Sequence, residues 1–155
     1  MELISIDMVN ANGRADLHCC NREADFSLAN GWVRQNVLQK LPDPDDPTWM
    51  TCREIRDAVL RFIGPSERVH TELWGYYAAY DHVMLCWLFG TMAKLPEGMP
   101  MHTKDIKQLS DLLGVRQFPK LDEHVAHNAL MDAAWTRRVS YDILQPRAQA
   151  LGLQV

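Results

Sequence analysis

The run ELISIDMV at residues 2–9 is followed, after two residues, by Asn12-Gly13. Few combinations constrain a chain more. β-Branched and apolar residues favour an extended strand, and Asn-Gly takes the left-handed turn that reverses one. Together they predict a strand over 2–9 paired with a second that runs through about Cys20. The pattern then turns helical. Asp25 and Ser27 offer N-caps to LANGWVRQNVLQKL, which Pro42 ends, and PDPDDP at 42–47 has three prolines in six residues and reads as a loop. Thr51-Cys-Arg-Glu54 reads as a capping box, with Ile55, Ala58, Val59 and Phe62 on one face of the helix it opens. Gly64-Pro65 stops that helix. HTELWGYYAAY (70–80) reads as a strand, DHVMLCWLFG (81–90) as a helix, and 95–103 as a long loop. KDIKQLSDLLG (104–114) is a further helix, and the last runs from about Asn128 to near Leu144, before Pro146. Two or three antiparallel strands, helices, one strand and helices predict an α/β fold, a mixed sheet covered by helices.

At 155 residues the chain is expected to be one domain that buries about 70% of its unfolded surface. No apolar run approaches the roughly 20 residues that cross a bilayer. MELISID lacks a basic, signal-like start, so the expected location is the cytoplasm, with no membrane partner. The four cysteines (Cys19, Cys20, Cys52, Cys86) have no CxxC spacing and read as free thiols. A net charge of −4 argues against a broad basic surface that wraps duplex DNA. It leaves open an enzyme that meets phosphates through divalent cations held by carboxylates.

Two places could carry such chemistry. Asp81 stands where a strand gives way to a helix: either it caps that helix, or it is a metal ligand at the carboxyl end of a strand. In HNALMDA (127–133), His127 and Asp132 are five residues apart, about 140° of rotation on a continuous helix, so they would not share a face. If His127 lies just before the helix, both can reach one cleft. Neutral imidazole then takes a proton from water while the carboxylate holds a cation. The other reading is ordinary helix-start chemistry. His18, His70, His82, His102 and His124 read as surface, packing or helix-start residues. The five tryptophans read mainly as core or groove walls, and Arg53, Arg56, Arg61, Arg137 and Arg138 as solvated helix faces.

Taken in order, AAYDHVMLCWLFG, HTKDIKQL and HNALMDAAWTRR resemble the DEDDh 3′-to-5′ exonucleases of the RNase H-like superfamily. The nearest resemblance is to the polyadenylate-specific 3′-exoribonucleases of mycobacteria and their phages, and it extends through ELISI, NGWVRQNVLQKLP and TELWGYYAAYDHV. It implies an RNase H-like mixed sheet and a two-metal mechanism, with two Mg²⁺ or Mn²⁺ ions about 3.5–4 Å apart on the scissile phosphate. Asp81 and Asp132 would be metal ligands and His127 the general base. The implied partner is the 3′ end of single-stranded RNA, adenylate-rich, and a homodimer is also implied.

One departure follows from the same resemblance. The family carries an Asp-x-Glu motif on a strand that precedes the one resembling ELISI, and no such strand is present. In SIDMV, Asp7 has no glutamate two residues on, and the resemblance places it on the second strand; Glu2 would sit at that strand's entry. The domain is therefore expected to be N-terminally incomplete, with a gap in the sheet or a new exposed edge. About half the carboxylate charge of a two-metal site would be missing, which weakens cation binding. Activity is then expected only if that motif is supplied, by an in-frame Asp-x-Glu upstream or by another polypeptide. The alternative is an inactive RNA-binding or interaction module that keeps the fold.

Overall fold

The computed structural model describes residues 2–66, 70–121 and 128–154. β1 (Ser5–Val9) and β2 (Asp16–Asn21) form the predicted antiparallel hairpin, in a register that pairs Asp7 with His18 and Val9 with Asp16. Gly13 supplies the left-handed conformation of the turn, at φ 70°. The Asn10 and Asn12 side chains accept from the Arg14 N–H at 3.0 and 2.8 Å, which fixes the loop. On its other side β2 pairs in parallel with β3 (Trp49–Met50), a strand too short to predict.

A second, parallel pair stands apart from these three strands. β4 (Leu73–Gly75) lies beside β5 (Thr103–Asp105), with Gly75 opposite Asp105. The sheet therefore has two pieces, ordered β1-β2-β3 and β4-β5. With both parallel and antiparallel pairs and helices packed on it, the fold is α/β with a mixed sheet, as expected, in an RNase H-like arrangement.

The helices follow their caps. Asp25 caps only a single 3₁₀ turn (Phe26–Leu28), through the Ser27 N–H at 2.9 Å. Asn30 is the cap of α1 (Gly31–Asn36), so the helix expected across 28–41 is shorter and starts later. The capping box is present at α2 (Cys52–Ile63): Thr51 N–H donates to Glu54 at 2.8 Å, and Glu54 N–H donates to the Thr51 hydroxyl at 3.3 Å. Ile55, Ala58 and Val59 pack from α2 onto Leu3, Cys19 and Met99, together with Leu85 and Leu88 of α3 (Ala79–Leu88).

α4 (Ile106–Leu112) and the chain's last helical run build a second core from Ile106, Leu109, Leu113, Val139, Leu144 and Ala148. That run begins with α5 (Ala129–Arg138), widens into a π-helical stretch (Val139–Leu144) and continues as α6 (Gln145–Ala150). It passes Pro146, where the sequence predicted a stop. Proline is tolerated there because it falls in the first turn of α6, where a missing N–H costs least. α5 packs against both β1 and β4 and so spans the two pieces of the sheet. Among the described residues no helix is long and apolar enough to cross a membrane.

Candidate active site

A cavity of about 1460 Å³ separates the two pieces of the sheet. Residues 2–11, which include β1, line one wall, and residues 70–76, which include β4, line the other. Asp81 from α3 and Asp132 from α5 both face into it, so two of the three expected site residues share one space. His127, the third, lies outside the described residues.

Asp81 is held by the turn between β4 and α3. It is not the helix cap: α3 begins at Ala79, Ala78 is the cap position without a side-chain bond, and Asp81 lies in the first turn. Gly75 leaves room for it, since a Cβ there would come within 3.2 Å of Asp81 Oδ2 and 2.9 Å of Ala78 Cβ. Tyr77 turns the chain with φ 57°, a left-handed conformation that a bulky residue adopts only when its surroundings enforce it. Asp105 supplies part of that enforcement. One carboxylate oxygen accepts the Ala78 N–H at 3.1 Å and the other the Lys107 N–H at 2.7 Å, which ties the β4–α3 turn to the start of α4. Asp81 is open to solvent, yet the protein around it displaces enough water to raise its carboxyl above the usual range, and the charge of Asp105 adds to the rise. His82 bonds Thr103 of β5 at 3.0 Å, a packing role.

Asp132 sits in the first turn of α5, its N–H bonded to Asn128 O at 2.9 Å, while the Asn128 side chain caps the helix through the Met131 N–H at 3.1 Å. Asn128 thus caps the helix, and Asp132, in its first turn, also lines the cavity.

The sequence reading passed over a pair beside it. Asp7 and His18 face each other across the hairpin and share a short contact between Asp7 Oδ1 and His18 Nδ1. The Asp7 side chain is 1% exposed, and its other oxygen has no hydrogen-bond partner among the described residues. Burial raises its carboxyl, His18 opposes the rise, and the charges of Asp132 and Asp16 add to it. The hairpin register could have revealed the pair, because the two residues lie five positions either side of Asn12-Gly13.

The rings of Tyr76, Phe118 and Trp135 line the same cavity, and Tyr77 stands beside them. Tyr76 stacks obliquely on Tyr77 at 4.5 Å and meets Trp135 edge-on at 5.3 Å; Trp135 in turn meets Phe118 at 5.9 Å and donates to Pro119 O at 2.7 Å. Trp135 is thus a cavity wall, as expected, whereas Trp32 and Trp87 are exposed rather than core. Arg137 is not merely solvated: it donates to Ala11 O at 2.9 Å, pinning α5 to the hairpin, and pairs with Asp142.

Asp81 and Asp132 are hard oxygen donors of the kind Mg²⁺ or Mn²⁺ takes. Among the described residues, however, no three His, Cys, Asp or Glu side chains come together as a metal site. Two ions need more donors than these two carboxylates, so the described residues do not fit a two-metal centre.

The class of fold is an RNase H-like mixed sheet, with Asp81 in the first turn of α3 and Asp132 in the first turn of α5 lining one cavity. The family model for the 3′-5′ exoribonuclease Rv2179c-like domain matches residues 8–144. The chain belongs to this family. It is also 38% identical over 133 residues to two proteins of Mycobacterium tuberculosis, 3′-5′ exoribonuclease Rv2179c of strain H37Rv and 3′-5′ exoribonuclease MT2234.1 of strain CDC 1551. Each match covers 86% of this chain and 78% of the relative.

Proposed function

We infer that this domain binds single-stranded RNA at the mouth of the β1–β4 cavity without hydrolysing it, as a binding module that keeps an exonuclease fold. One observation carries this reading. Asp81 and Asp132 reach the cavity from separate elements across an open gap in the sheet, and no third ligand joins them among the described residues. What remains suited to RNA is the aromatic border, since bases stack on tyrosine faces whatever their sequence. Tyr77 is 56% exposed beside Tyr76.

A second reading has support of its own. Asp81 and Asp132 do share one cavity, and the relatives are exoribonucleases by name. On that reading the domain is a Mg²⁺- or Mn²⁺-dependent 3′-to-5′ exoribonuclease acting on adenylate-rich ends, with Asp81 and Asp132 as ligands and His127 as base, once further carboxylates enter the gap.

Tryptophan fluorescence during titration with oligoadenylate tests the first reading, because Trp135 borders the cavity. Quenching that EDTA leaves within about twofold is expected. Tyr77→Ala should weaken binding about tenfold or more, the loss of roughly 1–3 kcal/mol for one stacked base. Absence of quenching, or quenching abolished by EDTA, would contradict it.

A further inference from the structure

We propose that Lys107 is a phosphate contact: its ammonium takes a backbone phosphate of the RNA strand whose base stacks on Tyr77. The inference rests on the RNA-binding reading and names a residue, outside the cavity's own lining, that grips the strand at the mouth.

The first observation is a shared fastening. Tyr77 and Lys107 come from different elements, the β4–α3 turn and the first turn of α4. Asp105 joins them, because its two carboxylate oxygens accept the Ala78 N–H at 3.1 Å and the Lys107 N–H at 2.7 Å. The backbone next to Tyr77 therefore lies one carboxylate's width from the backbone of Lys107. Ring and cation are placed together before any ligand arrives, so little backbone freedom is lost on binding.

The second is electrostatic reach. Asp111 raises the Lys107 ammonium above the ordinary lysine value, and the hydroxyls of Tyr77 and Tyr76 add to the rise. The effect is mutual at Tyr76, where burial raises the hydroxyl and the Lys107 charge opposes it. The ammonium thus stands near the polar ends of both rings, while the exposed face of Tyr77 is left for a base.

The third is that Lys107 can change partners. It pairs with Asp111 one helical turn along, and both side chains are open to water, at 31% and 65% exposure. An ion pair of this kind is weak and easily exchanged. A phosphate oxygen offers the same ammonium a charge-assisted hydrogen bond, and lysine accepts it as a point charge without strict geometry. Asp111 is then a competitor for the cation. Neither contact reads base identity, since stacking suits every base and phosphate contacts carry no sequence information. Tyr77 and Lys107 together therefore select a flexible, charged single strand rather than adenine itself.

The test titrates the full chain with hexaadenylate, EDTA present, at a series of salt concentrations and follows tryptophan fluorescence. On a single strand each phosphate contact contributes about 0.7 to the slope of log affinity against log salt. Lys107→Gln should weaken binding about fivefold or more and reduce that slope by about 0.7. Tyr77→Ala should weaken binding and leave the slope unchanged, because stacking releases no counterions. Lys107→Arg should keep both affinity and slope, and Asp111→Asn, which frees the cation, should tighten binding about twofold or more. Melting transitions confirm that each variant is folded. An unchanged slope in Lys107→Gln, or no tighter binding in Asp111→Asn, would overturn this inference and leave the RNA-binding reading standing. Failure of the unmodified chain to bind hexaadenylate would overturn both.

Discussion

Asp7 shows what burial does to a single acidic side chain. Burial raises its carboxyl above the ordinary aspartate range, so the folded state holds the proton more tightly than the unfolded chain does. The sign follows from linkage: the protonated form favours folding, and the stability present below the unfolded value is lost as pH rises through the folded one. Asp7→Asn should therefore raise Tm at pH 7, and the gain should shrink to nothing as pH falls below the ordinary aspartate range. Melting curves of both forms between pH 3 and pH 7 check this; a gain that persists at pH 3 would contradict it. Gly75 acts sterically rather than electrically. Gly75→Val places a side chain against Ala78 and Asp81, and should cost about 1–3 kcal/mol by overpacking, measured as a drop in the urea midpoint.

At the scale of elements, local chemistry decides what the sequence reveals. The capping box of α2 was legible because both of its bonds lie within four residues, and Thr51→Ala should cost about 1 kcal/mol in urea unfolding. β3 and β5 were not legible: two and three residues are too few to display a period of two, and their partners lie far away in sequence. Asp105 was missed for the same reason. Its importance depends on β5 lying beside β4, which brings its carboxylate to Ala78 across 27 positions of chain. Asp105→Ala leaves that buried-side N–H without its acceptor and should cost about 1–3 kcal/mol, again read from the urea midpoint. The run from α5 through α6 was predicted to stop before Pro146, because proline ends helices more often than it opens their first turn.

For the whole molecule, the α/β class and the family were readable from three ordered segments. That Asp81 and Asp132 would face one cavity followed from the resemblance and not from spacing, which favoured helix-start chemistry. The acidic interior of the gap, with Asp7 fully buried in it, could not be read without the register and the packing of α5. A member of this family whose sheet lies in two pieces, and whose acidic side chains do not gather as a metal site among the described residues, is expected to hold RNA and leave it intact. The most direct measurement incubates the chain with 3′-labelled poly(A) and Mg²⁺ or Mn²⁺, beside Asp132→Asn, and follows the label with time. Full-length label throughout, under conditions where tryptophan quenching shows the RNA bound, is the result expected. A ladder of shortened products from the unmodified chain that disappears with Asp132→Asn would contradict it.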